Sequence, residues 1–362
     1  MDDLPDLPAR QGRGARFNPE NEFEPLHVDL DPNALDEDER RQVETTYFRD
    51  PAQSILSPNE SPDVPFRYSI NPYRGCEHGC LYCYARPTHE YLGFSAGLDF
   101  ETQILVKENA PDLLAERFES DTWTPEPIWL SGNTDPYQPV ERELELTRRL
   151  LKVFAHHRNP VGLITKNGLL TRDLDVLERM NGWNGVRVTV SVTTLDNDLA
   201  GAMEPRTARP PLRLRVIEKC AEAGVPVGVN VAPIIPGLTD EEVPRILEAA
   251  AERGATSAGY TVLRLPGAVR PLFEDWLNRH APHRKSRVLK RMKALRGEDM
   301  NDTEFGVRMT GTGLWADTIA DLFHLACKKH GLDGGPEPLN AEAFRRRPGG
   351  QMGLFEDDSG ES

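Results

Sequence analysis

Asn71-Pro72-Tyr73-Arg74-Gly75-Cys76-Glu77-His78-Gly79-Cys80-Leu81-Tyr82-Cys83 sets three cysteines at spacings of four and three residues in one short loop. A loop that tight wraps one face of an iron-sulfur cubane, so that Cys76, Cys80 and Cys83 each reach a different iron. The fourth iron then keeps an open coordination position, which is what separates a catalytic metal site from a closed structural one. A bidentate amino-acid group is the natural occupant of that position. Gly75 and Gly79 suit the sharp backbone course. The same residues allow a second reading, mononuclear zinc, with His78 or His89 completing a Cys3His set. A paired zinc site would need two further ligands, and Cys220 and Cys327 instead stand alone on amphipathic stretches.

Outward from this loop the chain alternates short β-branched runs with amphipathic stretches, the pattern of repeated β-α units and a parallel sheet. Six strands are expected, at Arg67 to Ile70, Ile128 to Ser131, Val161 to Thr165, Val186 to Thr193, Val225 to Val231 and Ser257 to Leu263. Helices fall between them. Leu212 to Ala223 puts Leu212, Val216, Ile217 and Cys220 on one face, and Glu241 to Arg253 does the same with Val243, Ile246, Leu247 and Ala250. Gly224 and Gly254 follow each helix, where a left-handed cap favours glycine. Six units fall short of an eight-fold barrel, so the expected fold is α/β, a partial (β/α)6 barrel with added C-terminal helices. Those helices are read at Leu272 to Asn278, Ser286 to Leu295 and Trp315 to Lys329. In a parallel β-α array the strand carboxyl ends share one rim, and the site belongs there.

The 362 residues carry a net charge of -15, concentrated at the ends. Residues 1–66 hold 16 acidic against 6 basic groups and residues 331–362 hold 7 against 3, whereas the middle has 35 against 34. A strongly basic nucleic-acid surface is not apparent, although a basic groove fits within a neutral total. The start is neither basic nor apolar enough for a signal peptide. No stretch approaches the roughly 20 apolar residues that span a bilayer. Five cysteines with three in one loop do not form a disulfide framework, so a reducing cytoplasmic location is expected. The expected organisation is a disordered acidic segment over residues 1–45, a core over 46–265, a helical extension over 266–330 and a mobile tail over 331–362.

The Cys-x3-Cys-x2-Cys loop after a first strand, with aromatic Tyr82 before the last cysteine, resembles the signature of the radical S-adenosylmethionine superfamily. Ser69 to Thr88, Ser131 to Glu141 and Glu204 to Pro210 resemble, more narrowly, an uncharacterised branch related to spore photoproduct lyase. The resemblance covers about residues 45 to 330. It implies a 4Fe-4S cluster on Cys76, Cys80 and Cys83 that reductively cleaves S-adenosylmethionine to a 5'-deoxyadenosyl radical, with a reductant such as a flavodoxin or ferredoxin. It also implies a substrate that is a nucleic acid or nucleotide; a protein or small metabolite is the alternative, and a non-catalytic zinc or iron-sulfur interaction module is the reading outside enzymology.

The family often binds the cofactor's amino group with a Gly-Gly-Glu run after the second strand. This chain reads Ser131-Gly132-Asn133-Thr134-Asp135-Pro136-Tyr137 instead. Gly132 keeps the backbone close, while Ser131, Thr134 and Asp135 offer polar contacts to an ammonium group; an Asn-Asp-Pro turn is the plainer reading. Thr165-Lys166-Asn167, Ser191, Thr193 and Asn230 occupy corresponding strand ends, with Lys166 suited to a cofactor carboxylate or a substrate phosphate. Each taken singly also fits an ordinary cap. Glu204-Pro205-Arg206 reads as an ion pair closing the rim, or Arg206 as a grip on a substrate anion. Spore photoproduct lyase depends on a cysteine hydrogen donor, and no cysteine lies between Cys83 and Cys220. Repair of that lesion is therefore not expected, and Tyr137 is the substitute donor the segment offers. Cys220 and Cys327 read as small buried side chains. Gln351-Met352-Gly353-Leu354-Phe355 resembles the peptides that dock on the bacterial DNA sliding clamp, with Gln351, Leu354 and Phe355 as anchors.

Overall fold

The computed structural model describes residue 10 and residues 12–23 and 43–347. The clamp-like peptide at Gln351, Leu354 and Phe355 lies outside the described residues. All six expected strands form, as β3 (Tyr68–Ile70), β6 (Ile128–Leu130), β7 (Val161–Thr165), β8 (Val186–Ser191), β9 (Val227–Ile234) and β10 (Ser257–Val262). They pair in parallel in that order, and β2 (Leu56–Pro58) adds an antiparallel edge beside β3. A second sheet is built from β1 (Thr46–Arg49), β5 (Gln103–Val106) and β4 (Tyr73–Arg74), and it carries the entry to the cysteine loop.

Strand alternation divides the large sheet into two unlike faces. On one face Ile70, Ile128, Leu130, Val161, Leu163, Val186, Val188, Val190, Val227, Val229 and Val231 all enter one core. This core is closed by α1 (Ala110–Glu119), α2 (Leu146–His157), α3 (Leu174–Asn181), α5 (Pro210–Glu222) and α6 (Val243–Ala251). A shorter helix, α4 (Asn197–Met203), precedes α5. The other face reads Ser69, Trp129, Ile164, Thr189, Ser191, Asn230, Gly259 and Thr261, small or polar over most of its width. Ile164, Thr189, Asn230 and Thr261 on it are only half-buried. A face without a packed helix is an open trough, the inside of an incomplete barrel.

The two edges of this sheet approach one another. Asp63, in the loop between β2 and β3, accepts from Gly306 N at 2.6 Å and pairs with Arg308. The segment carrying Arg308 lies against β10, where Val262 N donates to Met309 O at 2.8 Å. Side chains rather than strand pairing therefore span the seam.

Helices α7 (Val269–His280), α8 (Pro282–Arg296) and α9 (Leu314–His330) form where the helical periods predict them. Leu272, Phe273, Trp276, Leu277, Val288 and Met292 of α7 and α8 share a core with Cys80, Leu81 and Tyr82, so they back the cysteine loop. Ile319 and Phe323 of α9 join the main core.

Three expectations need correction. The disorder expected over residues 1–45 does not extend to residues 12–23, since Ala15 is buried and Gly14 lies against Gly79 of the cysteine loop, so that this stretch forms a strap. The tail as far as residue 347 is also attached: Phe344 packs on the main core, and Arg345 N donates to His157 O at 2.7 Å. Composition missed both because each uses a few anchors rather than a periodic face. In α5 Leu212 is exposed, and Arg213 takes the buried position instead. Gly224 and Gly254 do adopt the left-handed conformation, with φ of 70° and 90°.

Candidate cluster and cofactor site

The cysteine loop is fixed by polar contacts from almost every side. Asn71 Oδ1, just past β3, accepts from Asn133 N at 2.8 Å, which ties the ends of β3 and β6 together. Cys76 N donates to Phe100 O at 2.8 Å. Glu77 N donates to Gln138 Oε1, and the Glu77 carboxylate accepts from Thr45, Val140 N and Arg206. Leu81 N donates to Met203 O. Tyr84 Oη donates to Gly132 O at 2.6 Å.

The centre of this support is an ion pair with no solvent contact. Arg86 and Glu101 are both fully buried. Arg86 donates to Cys80 O at 2.9 Å and to the carbonyls of Ala96 and Gly97, and it pairs with Glu101 at 2.5 Å. Glu101 uses its two oxygens to accept from Gly14 N and Ala15 N, each at 2.8 Å. The strap thereby holds the carboxylate that holds the arginine that holds the Cys80 backbone. Glycine is needed at both contact points. A Cβ on Gly14 would lie 1.9 Å from Gly79 O, and Gly79, at φ 66°, would place one 2.7 Å from Glu101 Oε2.

Cys76, Cys80 and Cys83 are unbridged, the first two buried and the third half-buried. Burial pushes the Cys80 and Cys83 thiols up, so ligation requires that a metal displace their protons. Among the described residues no three His, Cys, Asp or Glu side chains converge closely enough to hold one metal ion. A cubane asks for something different, one thiolate per iron, and the donor set fits that. The Cys3His reading is opposed by the absence of such a cluster among the described residues and, at His78, by its hydrogen bonds. His78 Nδ1 lies 3.4 Å from Asp135 and its Nε2 lies 3.0 Å from the Asn167 amide, so both ring nitrogens are engaged. Its burial would lower its pKa, yet the charges of Asp135 and Cys76 win and raise it to about 10. His89 sits between Phe94 and Phe100, and burial pushes it down to about 4.

Most residues expected at the rim do gather there, several as supports. Asp135 accepts from Thr165 Oγ1 and Lys166 N at 2.7 Å and from Tyr137 N at 2.9 Å, besides facing His78. Its oxygens are occupied by the loop. Thr134 Oγ1 is likewise taken up by Tyr73 O. Gly132 lies so close to Ser69 that a Cβ would meet Ser69 Oγ at 2.7 Å. Ser131 holds a left-handed φ of 84°, a strained conformation for serine at the end of β6. Lys166 Nζ donates to Ala232 O at 3.1 Å and stands 5.9 Å from the centre of the Tyr82 ring. Burial lowers its pKa, and the Cys80 and Cys83 sulfurs are among the charges opposing that shift. Ser191 and Asn230 are register partners on the trough face.

Tyr82 introduces a chain that the sequence showed only in pieces. Its hydroxyl lies 3.1 Å from Thr193 Oγ1, which donates to Glu204 Oε1 at 2.8 Å. Glu204 pairs with buried Arg213, not with Arg206. Arg206 pairs with Glu77 at 2.8 Å, so the ion pair expected within the Glu-Pro-Arg motif does not form. Tyr137 is fully buried in the main core, away from the trough. Cys220 and Cys327 lie in that core as expected. Tyr84, Arg86, Glu101 and Arg213 were missed. The Cys83-Tyr84 adjacency was a usable signal for the first, and no spacing marks the others.

Comparison with known proteins is consistent with this geometry. Uncharacterised proteins of Mycobacterium tuberculosis and Mycobacterium bovis are each 40% identical over 226 residues, which is 62% of this chain and 66% of theirs. An uncharacterised protein of Methanocaldococcus jannaschii is 28% identical over 53% of this chain and 68% of its own. Spore photoproduct lyase complexed with dinucleoside spore photoproduct superposes with a TM-score of 0.57 at 16% identity, over 82% of this chain and 81% of that one. That likeness concerns the fold. No helix among the described residues is long and apolar enough to cross a membrane. The radical SAM superfamily profile matches residues 70–250, from the end of β3 through α6, and the chain belongs to that superfamily.

Proposed function

We propose that this chain cleaves S-adenosylmethionine reductively and directs the resulting 5'-deoxyadenosyl radical at a nucleic acid or nucleotide. The observation that carries the reading is a loop with three unbridged cysteines, braced by the buried Arg86–Glu101 pair, at the carboxyl rim of a parallel half barrel. Cys76, Cys80 and Cys83 would hold three irons of a 4Fe-4S cluster, which when bound supplies the electron for carbon-sulfur cleavage and leaves one iron for the cofactor's amino and carboxylate groups.

The remaining roles belong to the chain. Lys166, buried beside the loop, supplies positive charge near the thiolates. Tyr82, buried beside Lys166, is held by Thr193. Ser131, Gly132, Ser191 and Asn230 line the course a nucleoside would take along strand ends. The apolar backing from α7 and α8 keeps water from the loop's far side. The substrate half of the proposal is supported by the neighbour complexed with dinucleoside spore photoproduct. A flavodoxin or ferredoxin as reductant, a cytoplasmic location and docking on the sliding clamp through Gln351, Leu354 and Phe355 belong to the same proposal.

The test is anaerobic reconstitution with iron and sulfide, addition of dithionite and S-adenosylmethionine, and chromatography for 5'-deoxyadenosine. The intact chain is expected to form it and Cys80→Ala is expected to form none. Equal product from the variant contradicts the ligand assignment.

A further inference from the structure

Arg264 lies just beyond β10, on the rim that carries the cysteine loop. Its guanidinium stands 5.3 Å from the centre of the Tyr84 ring, one residue past Cys83, and it makes no hydrogen bond or ion pair to any described residue. Arg296, at the end of α8, is only 6% exposed. It donates to Leu263 O at 2.6 Å and to Val262 O at 2.8 Å, the two carbonyls preceding Arg264, yet its Nη1 has no partner among the described residues. Arg308 is the third cation nearby, and it is already committed to Asp63 and Ser61.

Two guanidinium groups thus share one end of β10, one of them unpaired and one with a buried donor left over. Burial lowers the pKa of Arg264, and Arg308 pushes the same way, with Tyr84 and Asp63 opposing. Burial likewise lowers Arg296 to about 10, and the charge of Arg264 adds to that. Buried charge and orphaned donors are costly unless an anion completes them. The planar fork of arginine matches phosphate oxygens two at a time. Tyr84 adds an aromatic surface that is 47% exposed, the partner a nucleobase stacks on. The place is the seam between β10 and the β2–β3 edge, beside the Asp63–Arg308 pair.

We propose that Arg264 and Arg296 bind a phosphate group of the substrate at this seam, beside the ring of Tyr84. This rests on the nucleotide reading above and assigns the residues that would recognise it. Full-length, anaerobically reconstituted protein is titrated with a fluorescein-labelled single-stranded oligonucleotide, and anisotropy is followed at several salt concentrations. Arg264→Ala is expected to weaken binding about tenfold, the loss of one charge-assisted contact. Its slope of log affinity against log salt should fall by about one, and Arg264→Lys should recover only part of the affinity. Thymidine 5'-monophosphate should compete where thymidine does not. Arg296 is buried and its removal endangers folding, so partly exposed Arg264 carries the test. Binding by Arg264→Ala within twofold of the intact chain, at an unchanged salt slope, overturns the proposal. Loss of S-adenosylmethionine binding in that variant, measured by equilibrium dialysis, also overturns it, because the arginine would then serve the cofactor. Absence of 5'-deoxyadenosine from the intact chain would sink the radical reading alone and leave the phosphate result standing.

Discussion

Glu101 is a carboxylate with no water in reach, and all its partners are internal: Arg86, Gly14 N and Ala15 N. Removing one member of such a pair strands the other charge in a low-dielectric interior, at about 3–5 kcal/mol. Glu101→Ala is therefore expected to shift the urea unfolding midpoint down by a free energy of that size and to lower iron incorporation together with it. An unchanged midpoint would mean that Arg86 finds another acceptor and that the brace is unimportant. The same residues mark the limit of what could be read in advance. Cys76, Cys80 and Cys83 announce themselves because their spacing has one chemical use. Arg86 and Glu101 are 15 positions apart across a turn, a distance at which charged residues occur in any chain. Arg213 was hidden differently, since the helical period selected Leu212 and a charged residue was not expected inside.

The strands and helices were legible because each repeats a pattern. β7 begins and ends where the apolar run does, and β9 departs by starting two residues later and continuing to Ile234. The strap and the tail have no period to read. The tail is held at His157, whose Nδ1 lies 3.1 Å from Arg345 O and whose ring stacks on Phe344 with centroids 6.4 Å apart. Burial lowers the pKa of His157, with the Arg345 carbonyl opposing. The folded form thus binds the proton more weakly than the unfolded one, so docking is fully stable above the unfolded value of about 6.5 and weakens as pH falls below it. Hydrogen exchange across residues 340–347, corrected for the intrinsic rate, is expected to show less protection at pH 5.5 than at pH 7.5. Equal corrected protection would mean that the protonation state of His157 does not govern the docking of the tail.

At the scale of the whole molecule, the sheet explains where everything else is. Six parallel strands in sequence order collect their carboxyl ends on one rim, and one face buries valines and leucines while the other stays small and polar. The count of β-α units predicted an incomplete barrel. The closeness of its edges, through Asp63 and Arg308, depends on loops with no regular pattern and was not foreseen. The cysteine loop is the pivot of this arrangement, supported by the strap, the second sheet, the rim loops and α7. Quantifying iron, acid-labile sulfide and zinc in anaerobically reconstituted protein tests it most directly. About four irons and four sulfides per chain are expected, falling away in the Cys76, Cys80 and Cys83 alanine variants. One zinc per chain with no sulfide would contradict the account.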